Sequence, residues 1–218
     1  MAPRTHSRPT VTRRAPKETE VARRDGELLQ IVDQWMVEAQ ARGGNHIICR
    51  KGCAQCCVGV FAISRLDALR LQRGLSSLAD VDLDRAQRVM QRAADSLEKT
   101  VASFPGDMET GILYETPDAE DIFEEYSNDE PCPALDPETL TCDLYEHRPM
   151  TCRVYGPPVA TEQGVGVCEL NFTTASEEEI AAALVPLRGE EDEAKLVHTL
   201  ERSCGAGKTI VAFALLGA

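Results

Sequence analysis

Nine consecutive residues constrain this chain more than any other stretch: Cys49-Arg50-Lys51-Gly52-Cys53-Ala54-Gln55-Cys56-Cys57. Four thiols crowd into that segment, and four more follow downstream at Cys132, Cys142, Cys152 and Cys168. As thiolates, such groups repel one another and lose hydration, so the arrangement is costly unless a cation compensates it. The fold is therefore expected to gather two cysteine groups around zinc or iron. Cys53-x-x-Cys56 is a two-tooth clip whose short loop turns two sulfurs toward one ion, and Cys49 keeps a similar spacing. Neighbouring side chains diverge, so one sulfur of the adjacent pair Cys56-Cys57 is expected to serve a second centre or a bridging position. The downstream cysteines, at steps of 10, 10 and 16 residues, are too far apart for one knuckle and must be collected by the fold.

Three chemistries fit this pattern. Four thiolates suit a structural zinc ion, they equally suit iron or a 4Fe-4S cluster, and Cys-x-x-Cys also serves metal-free thiol redox chemistry. Spacing does not separate zinc from iron. His46 and His147 are further candidate ligands. Arg50, Lys51, Arg148 and Arg153 adjoin the cysteines and are placed to offset thiolate charge, with Arg148 and Arg153 the better candidates because they lie in an apolar, tyrosine-rich stretch.

The count of nine cysteines is odd, and Cys204 stands apart from both groups as a free thiol. The basic N-terminus leads into no apolar segment of signal-peptide length, and no stretch approaches a membrane span. A cytoplasmic, thiol-reducing setting is expected, where clustered cysteines indicate metal or redox chemistry rather than disulfides. A formal net charge of −13 argues against nucleic acid as a partner. Gly207-Lys208-Thr209 resembles the end of a phosphate-binding loop, but Arg202 stands where that loop needs glycine, so a nucleotide site is rejected.

The remaining chain reads as α-rich α+β: a small metal-organised cysteine core with short strands and a hairpin, flanked by helices. Residues 1–17 read as a disordered basic tail, and 18–218 as one domain. Within it, 45–170 is the cysteine-cluster region with a helical and acidic insert at 64–131, and 171–218 is a helical extension. Leu28, Ile31, Val32, Trp35 and Ala39 give helix 18–42 one apolar stripe. Val58–Ile63 reads as a short strand. Ser64 with Asp67 marks a helix start and Gly74 its end. A second helix over 81–104 buries Leu83, Ala86, Val89, Met90, Ala93, Leu97 and Val101. Residues 107–131 carry ten acidic and no basic side chains and read as a solvated, partly ordered linker. Pro137 in a polar turn predicts a hairpin that brings Cys132 near Cys142. Helices are expected at 176–184 and 190–202, and the apolar run 209–216 as a strand or core-seeking segment.

The segments Cys49…Cys53-x-x-Cys56-Cys57, Cys132-Pro133-x-Leu135, Cys142-x-Leu144-Tyr145-Glu146-x-Arg148-Pro149-x-x-Cys152-Arg153-x-Tyr155 and Cys168 together resemble the YkgJ-type cysteine-cluster family, the zinc- or iron-chelating CxxCxxCC domain. The match spans roughly residues 45–170. It departs from the family pattern in the Cys49–Cys53 gap, which has three intervening residues rather than two, and in the long insert. The resemblance implies metal binding by the eight cysteines, with Arg148, Arg153, Tyr145 and Tyr155 around them. A similar domain in flagellin lysine N-methylases implies an iron–sulfur centre and S-adenosylmethionine-dependent methyl transfer. No methyl-donor pocket is recognisable here, and three readings compete: a binding or structural module in which metal holds the fold and a surface binds another molecule, such as a protein partner; an enzyme whose metal centre acts on a protein or small-molecule substrate, including by methyl transfer; and metal storage or delivery.

Overall fold

The computed structural model describes residues 16–161 and 164–217. The expected basic tail lies almost wholly outside them. Helix α1 spans Pro16–Gly43. Its buried stripe is Val21, Leu28, Val32, Trp35, Met36 and Ala39, whereas Ile31 is exposed. After the cysteine knuckle, β1 (Ala62–Ile63) leads into α2 (Arg65–Val81). The Ser64 hydroxyl accepts from Asp67 N at 3.1 Å, and the Asp67 carboxylate returns the bond to Ser64 N at 3.3 Å. Such a reciprocal cap is worth about 1 kcal/mol.

Gly74 does not end this helix. A Cβ there would lie 2.6 Å from the His147 Cβ, so the glycine makes room for the turn between Cys142 and Cys152. Helix α3 covers Leu83–Thr100 and is capped by Asp82. It buries Ala86, Val89 and Ala93, while Leu83 and Met90 face solvent. The apolar stripe is thus narrower than the sequence suggests, because α3 packs chiefly through small residues.

The acidic stretch is ordered, contrary to the linker reading. It forms a β2–β3 hairpin (Gly106–Asp107 with Ile112–Leu113) and α4 (Pro117–Glu124). Leu113, Ala119 and Tyr126 supply buried anchors. The acidic side chains lie mostly on the outside, and three ring contacts, Phe104 with Tyr126, Phe104 with Phe213 and Phe123 with Tyr126, hold the segment down through aromatic packing.

Hairpin β4 (Leu135–Asp136) and β5 (Thr141–Cys142) forms as expected. Short α5 (Met150–Val154) follows. Strand β6 (Val159–Thr161) pairs antiparallel with β7 (Gly164–Gly166) and parallel with β8 (Val185–Pro186), which α6 (Glu177–Ala183) precedes. Helix α7 (Glu190–Cys204) packs on α1 and α2. The terminal apolar run divides into β9 (Thr209–Ile210), which pairs antiparallel with β1, and α8 (Val211–Leu216), whose first five residues are buried. No helix is long and apolar enough to cross a membrane among the described residues.

The architecture is α-rich α+β with two apolar cores. One joins α2, α3 and α8, with Cys132 and Cys142 packed on its edge. The other joins α1, α7 and the β6–β8 sheet, with Met150 and Val154 of α5 against it. Helix α2 serves both, contributing Leu71 to the first and Leu66 to the second.

Candidate metal centre

The cysteines arrive on four separate pieces of backbone, and each piece is tied down. The knuckle turns at Gly52, whose φ of +88° suits glycine. Cys57 N then closes on Ala54 O at 2.9 Å, forming a single 3-10 turn over Gln55–Cys57. Beyond it the chain meets the second group directly. Cys132 N donates to Cys57 O at 2.8 Å, Gly59 N to Glu130 O at 2.9 Å, and Val58 bridges Pro131.

The hairpin is closed by the Asp136 carboxylate, which accepts from Glu138 N (2.8 Å) and Thr139 N (3.2 Å). Register puts Cys142 opposite Leu135, and Cys132 lies just before that pairing. Asp143, its side chain 1% exposed, is held by Arg85 at 2.6 Å and Arg92 at 2.5 Å from α3. Arg92 Nε also donates to Pro133 O at 2.8 Å. The hairpin is therefore pinned to the helix beneath it at both ends of its cysteine pair.

Cys152 rides on α5, whose first amide, Met150 N, donates to Asp67 Oδ1 at 2.9 Å. Asp67 belongs to a buried network in which Arg70 meets Asp25, Asp67 and Glu193 at 2.6, 2.6 and 2.8 Å. One arginine thus fixes α1, α2 and α7 together and orients the carboxylate that starts α5. Cys168 is fixed by Cys168 N donating to Gly156 O at 3.1 Å. A Cβ on Gly156, at φ +133°, would lie 3.4 Å from Cys49 Sγ, so backbone and sulfur touch here.

The sulfurs do not sort by sequence group. Burial pushes the Cys49 thiol up, and the charges of Cys168, Cys53 and Cys56 push it further, while a hydrogen bond from Asn171 opposes them. Burial likewise raises Cys152, followed by the charges of Cys132, Cys142, Cys56 and Asp67. Burial raises Cys132 to about 12, with Cys142 adding and Arg92 opposing. Burial also dominates at Cys142, where Asp143 and Cys56 add and Arg148 opposes. The hydrogen bond with Cys57 raises Cys56 most, ahead of burial, and Arg148 opposes it. Cys168, the last of the eight clustered cysteines, keeps company with Cys49, the first. Cys56 is sensed from both sides.

Among the described residues, no group of three or more His, Cys, Asp or Glu side chains is placed to hold a metal ion. The donor chemistry nonetheless fits a soft or borderline cation. A thiol must release its proton to bind a metal, and burial and the neighbouring sulfurs oppose that release until a cation compensates them.

Of the expected surrounding residues, Arg148 stacks 3.8 Å over the Tyr145 ring, donates to Tyr145 O, and favours the thiolates of Cys56 and Cys142. Tyr155 is raised by burial first, then by the charge of Cys168 and a hydrogen bond to it. Arg153 points elsewhere: its guanidinium binds Asp33 at 2.6 and 2.7 Å and the carbonyls of Glu146 and Arg148. It braces the loop rather than a sulfur. His46 stacks on Phe172 and lies 3.6 Å from Glu179. His147 is lowered by burial and then by Arg153. Arg50 bonds Ile48 O, and Lys51 is exposed. The side chain of Cys204 lies outside the described residues.

Asn171 is the residue sequence reasoning missed. It is 4% exposed, accepts from Ile48 N at 3.0 Å, and donates to Gly156 O at 2.9 Å and to Cys49 Sγ at 3.4 Å. Its signal was a lone amide between Leu170 and Phe172, three residues after the last cysteine of the cluster. A cavity of about 20 Å³ lies beside Cys132, lined by Gly59, Phe61, Pro131 and Val211, with room for about one water. A cleft of about 390 Å³ between α1 and α7 is lined by Arg24, Leu196, Thr199 and Arg202, without a cysteine.

A family model described as "CxxCxxCC: Putative zinc- or iron-chelating domain" matches residues 48–169, more than half of the chain. No curated protein and no solved structure matches it. The match runs from the residue before Cys49 to the residue after Cys168 and so encloses all eight clustered cysteines, and on it the chain belongs to the CxxCxxCC family of zinc- or iron-chelating domains.

Proposed function

We propose that this protein is a metal-binding module in which Cys49, Cys53, Cys56, Cys57, Cys132, Cys142, Cys152 and Cys168 hold zinc or iron as thiolates. The observation that carries the reading is the hydrogen bond from Cys132 N to Cys57 O at 2.8 Å, which joins the knuckle to the hairpin that bears Cys142, segments some seventy-five residues apart in sequence. Helices, capped strands and a buried arginine network bring them together, at the cost of packing thiols that repel when ionised. A divalent cation reverses that repulsion. Arg148 offsets part of the residual negative charge, and Asn171 donates to Cys49. When bound, zinc supplies a redox-inert cross-link, and iron or a 4Fe-4S cluster a redox-capable one. A compartment that keeps thiols reduced suits this role.

The test is elemental analysis with absorption spectroscopy on anaerobically purified protein. Bound zinc in whole-number ratio with a colourless sample selects zinc. Broad absorption near ~400 nm selects an iron–sulfur centre. A preparation that holds neither metal as isolated, and takes up neither on reconstitution, overturns the proposal.

A further inference from the structure

The cleft of about 390 Å³ between α1 and α7 is built from residues that the cysteine segments do not supply. Its floor is apolar: Val21 is 5% exposed and Leu196 2%. Its rim is cationic, with Arg24 entering from α1 and Arg202 from α7. Glu20, the carboxylate in the lining, is engaged by Arg23 through bonds of 2.7 and 3.1 Å. The hydroxyls of Thr199 and Ser203 donate within their own helix, to Lys195 O at 2.7 Å and to Leu200 O at 2.8 Å. Recognition of charge in this cleft therefore falls to the two guanidiniums.

Elsewhere the chain meets arginines between its elements with carboxylates: Arg70 with Asp25, Asp67 and Glu193, Arg85 and Arg92 with Asp143, and Arg153 with Asp33. Here two guanidiniums line one cleft whose carboxylate is already taken. The result is a local positive field on a molecule of formal net charge −13. The planar fork of arginine matches the oxygens of a carboxylate or a phosphate. The cleft is also held in shape, because Arg70 bonds Asp25 of α1 at 2.6 Å, next to Arg24, and Glu193 of α7 at 2.8 Å, one turn before Leu196. Its volume is within the range of roughly 300–1,000 Å³ typical of small-molecule pockets. We propose that the cleft binds a small organic anion, a carboxylate or phosphate monoester on an apolar body. Arg24 and Arg202 hold the charged head, and the body lies on Val21 and Leu196. This proposal stands apart from the metal reading and does not depend on it.

The experiment titrates the full chain, kept reduced, with octanoate, octyl phosphate, inorganic phosphate and octanol, using calorimetry for affinity and amide chemical shifts for location. One-to-one binding of octanoate or octyl phosphate, with shifts centred on Val21, Leu196 and Thr199, supports the proposal, and the tighter of the two identifies the head group. Inorganic phosphate or octanol binding as tightly as both amphiphiles overturns it, because head and floor would not then act together. Shifts centred elsewhere, or no binding, overturn it too. Arg24 and Arg202 lie on the surface, so Arg24→Gln and Arg202→Gln test the head without disturbing the core. Each should weaken binding by about fivefold, the upper range for an exposed ion pair. Rising salt should weaken binding to the wild type in the same direction. Wild-type affinity in both variants overturns the proposal.

Discussion

Single residues around the sulfurs carry two separable duties, and Asn171 carries both. Its carboxamide ties Ile48 N to Gly156 O and donates to Cys49 Sγ. Asn171→Leu keeps the volume and strands the Ile48 N–H, a group worth about 1–3 kcal/mol when left unpaired, while Gly156 O keeps its bond from Cys168 N. It also removes the donor to sulfur, and losses of outer hydrogen bonds typically cost 10–100-fold in metal affinity. We expect both a lower denaturation midpoint and weaker binding in a chelator competition; wild-type values for both remove Asn171 from the site. A second buried group tests the sign of a pH effect. Glu193 is raised by burial first, with Asp67 and Asp25 adding and Arg70 opposing. A carboxyl raised on folding gives its full contribution below the unfolded value of about 4.3 and loses it as pH rises through the folded value. Glu193→Gln should therefore gain on wild type as pH goes from 4 to 7, read as urea midpoints. A constant difference contradicts the sign. Arg70→Met, which leaves three carboxylates without their shared cation, should lose about 3–5 kcal/mol.

At the level of elements, the hairpin depends on α3. Asp143 is gripped by two arginines from one face of that helix, and Arg92 reaches on to the Pro133 carbonyl. Asp143→Ala removes both ion pairs between hairpin and helix, leaving Arg85 and Arg92 without their carboxylate and only the Arg92 bond to Pro133 O in place. We expect faster amide exchange at Leu135 and Cys142 and reduced metal retention, with α1 unaffected. Exchange unchanged at both positions would mean the β4–β5 turn stands alone. The hairpin was legible in the sequence because Pro137 and Asp136 mark its turn locally. So were the Ser64–Asp67 cap and the helices that begin near Pro16, Ser176 and Glu190. The ordered acidic stretch was not, because its anchors, Leu113, Ala119 and Tyr126, are few and hide among charges. Nor was the length of α2. Gly74 reads as a stop, but it is a small residue under His147, and only the tertiary contact distinguishes the two. The terminal apolar run was open between strand and core segment and turns out to be both, since β9 needs β1, well over a hundred residues away, as its partner.

For the whole molecule, the two apolar cores meet in α2 and again where the cysteine strands converge. Cys132 and Cys142 lie against the α2–α3–α8 core, while α5, which carries Cys152, packs on the α1–α7 core. That the cysteines point to a zinc- or iron-chelating domain was readable from their type and spacing. Their partition was not, because it depends on the bend at Gly156 that returns Cys168 to Cys49 rather than on sequence separation. A metal drawing on Cys152 and on the hairpin would staple one core to the other, whereas the helices on either side have their own apolar contacts. Removal of metal should therefore act unevenly. Binding to the folded state alone stabilises by RT ln(1 + [L]/Kd), about 4 kcal/mol at a thousandfold excess over Kd, and that stabilisation disappears with the ion. Regions that owe their order to the sulfurs should open locally first. After anaerobic chelation, hydrogen exchange should accelerate at residues 49–59 and 131–144 and in α5, while Val32, Trp35 and Leu196, in the α1–α7 core, keep their protection. The melting temperature should fall, and restoring the metal should reverse both changes. Uniform loss of protection across α1 and α7 would show instead that the metal holds up the entire fold, and unchanged exchange at the cysteine segments would show that it holds none of it.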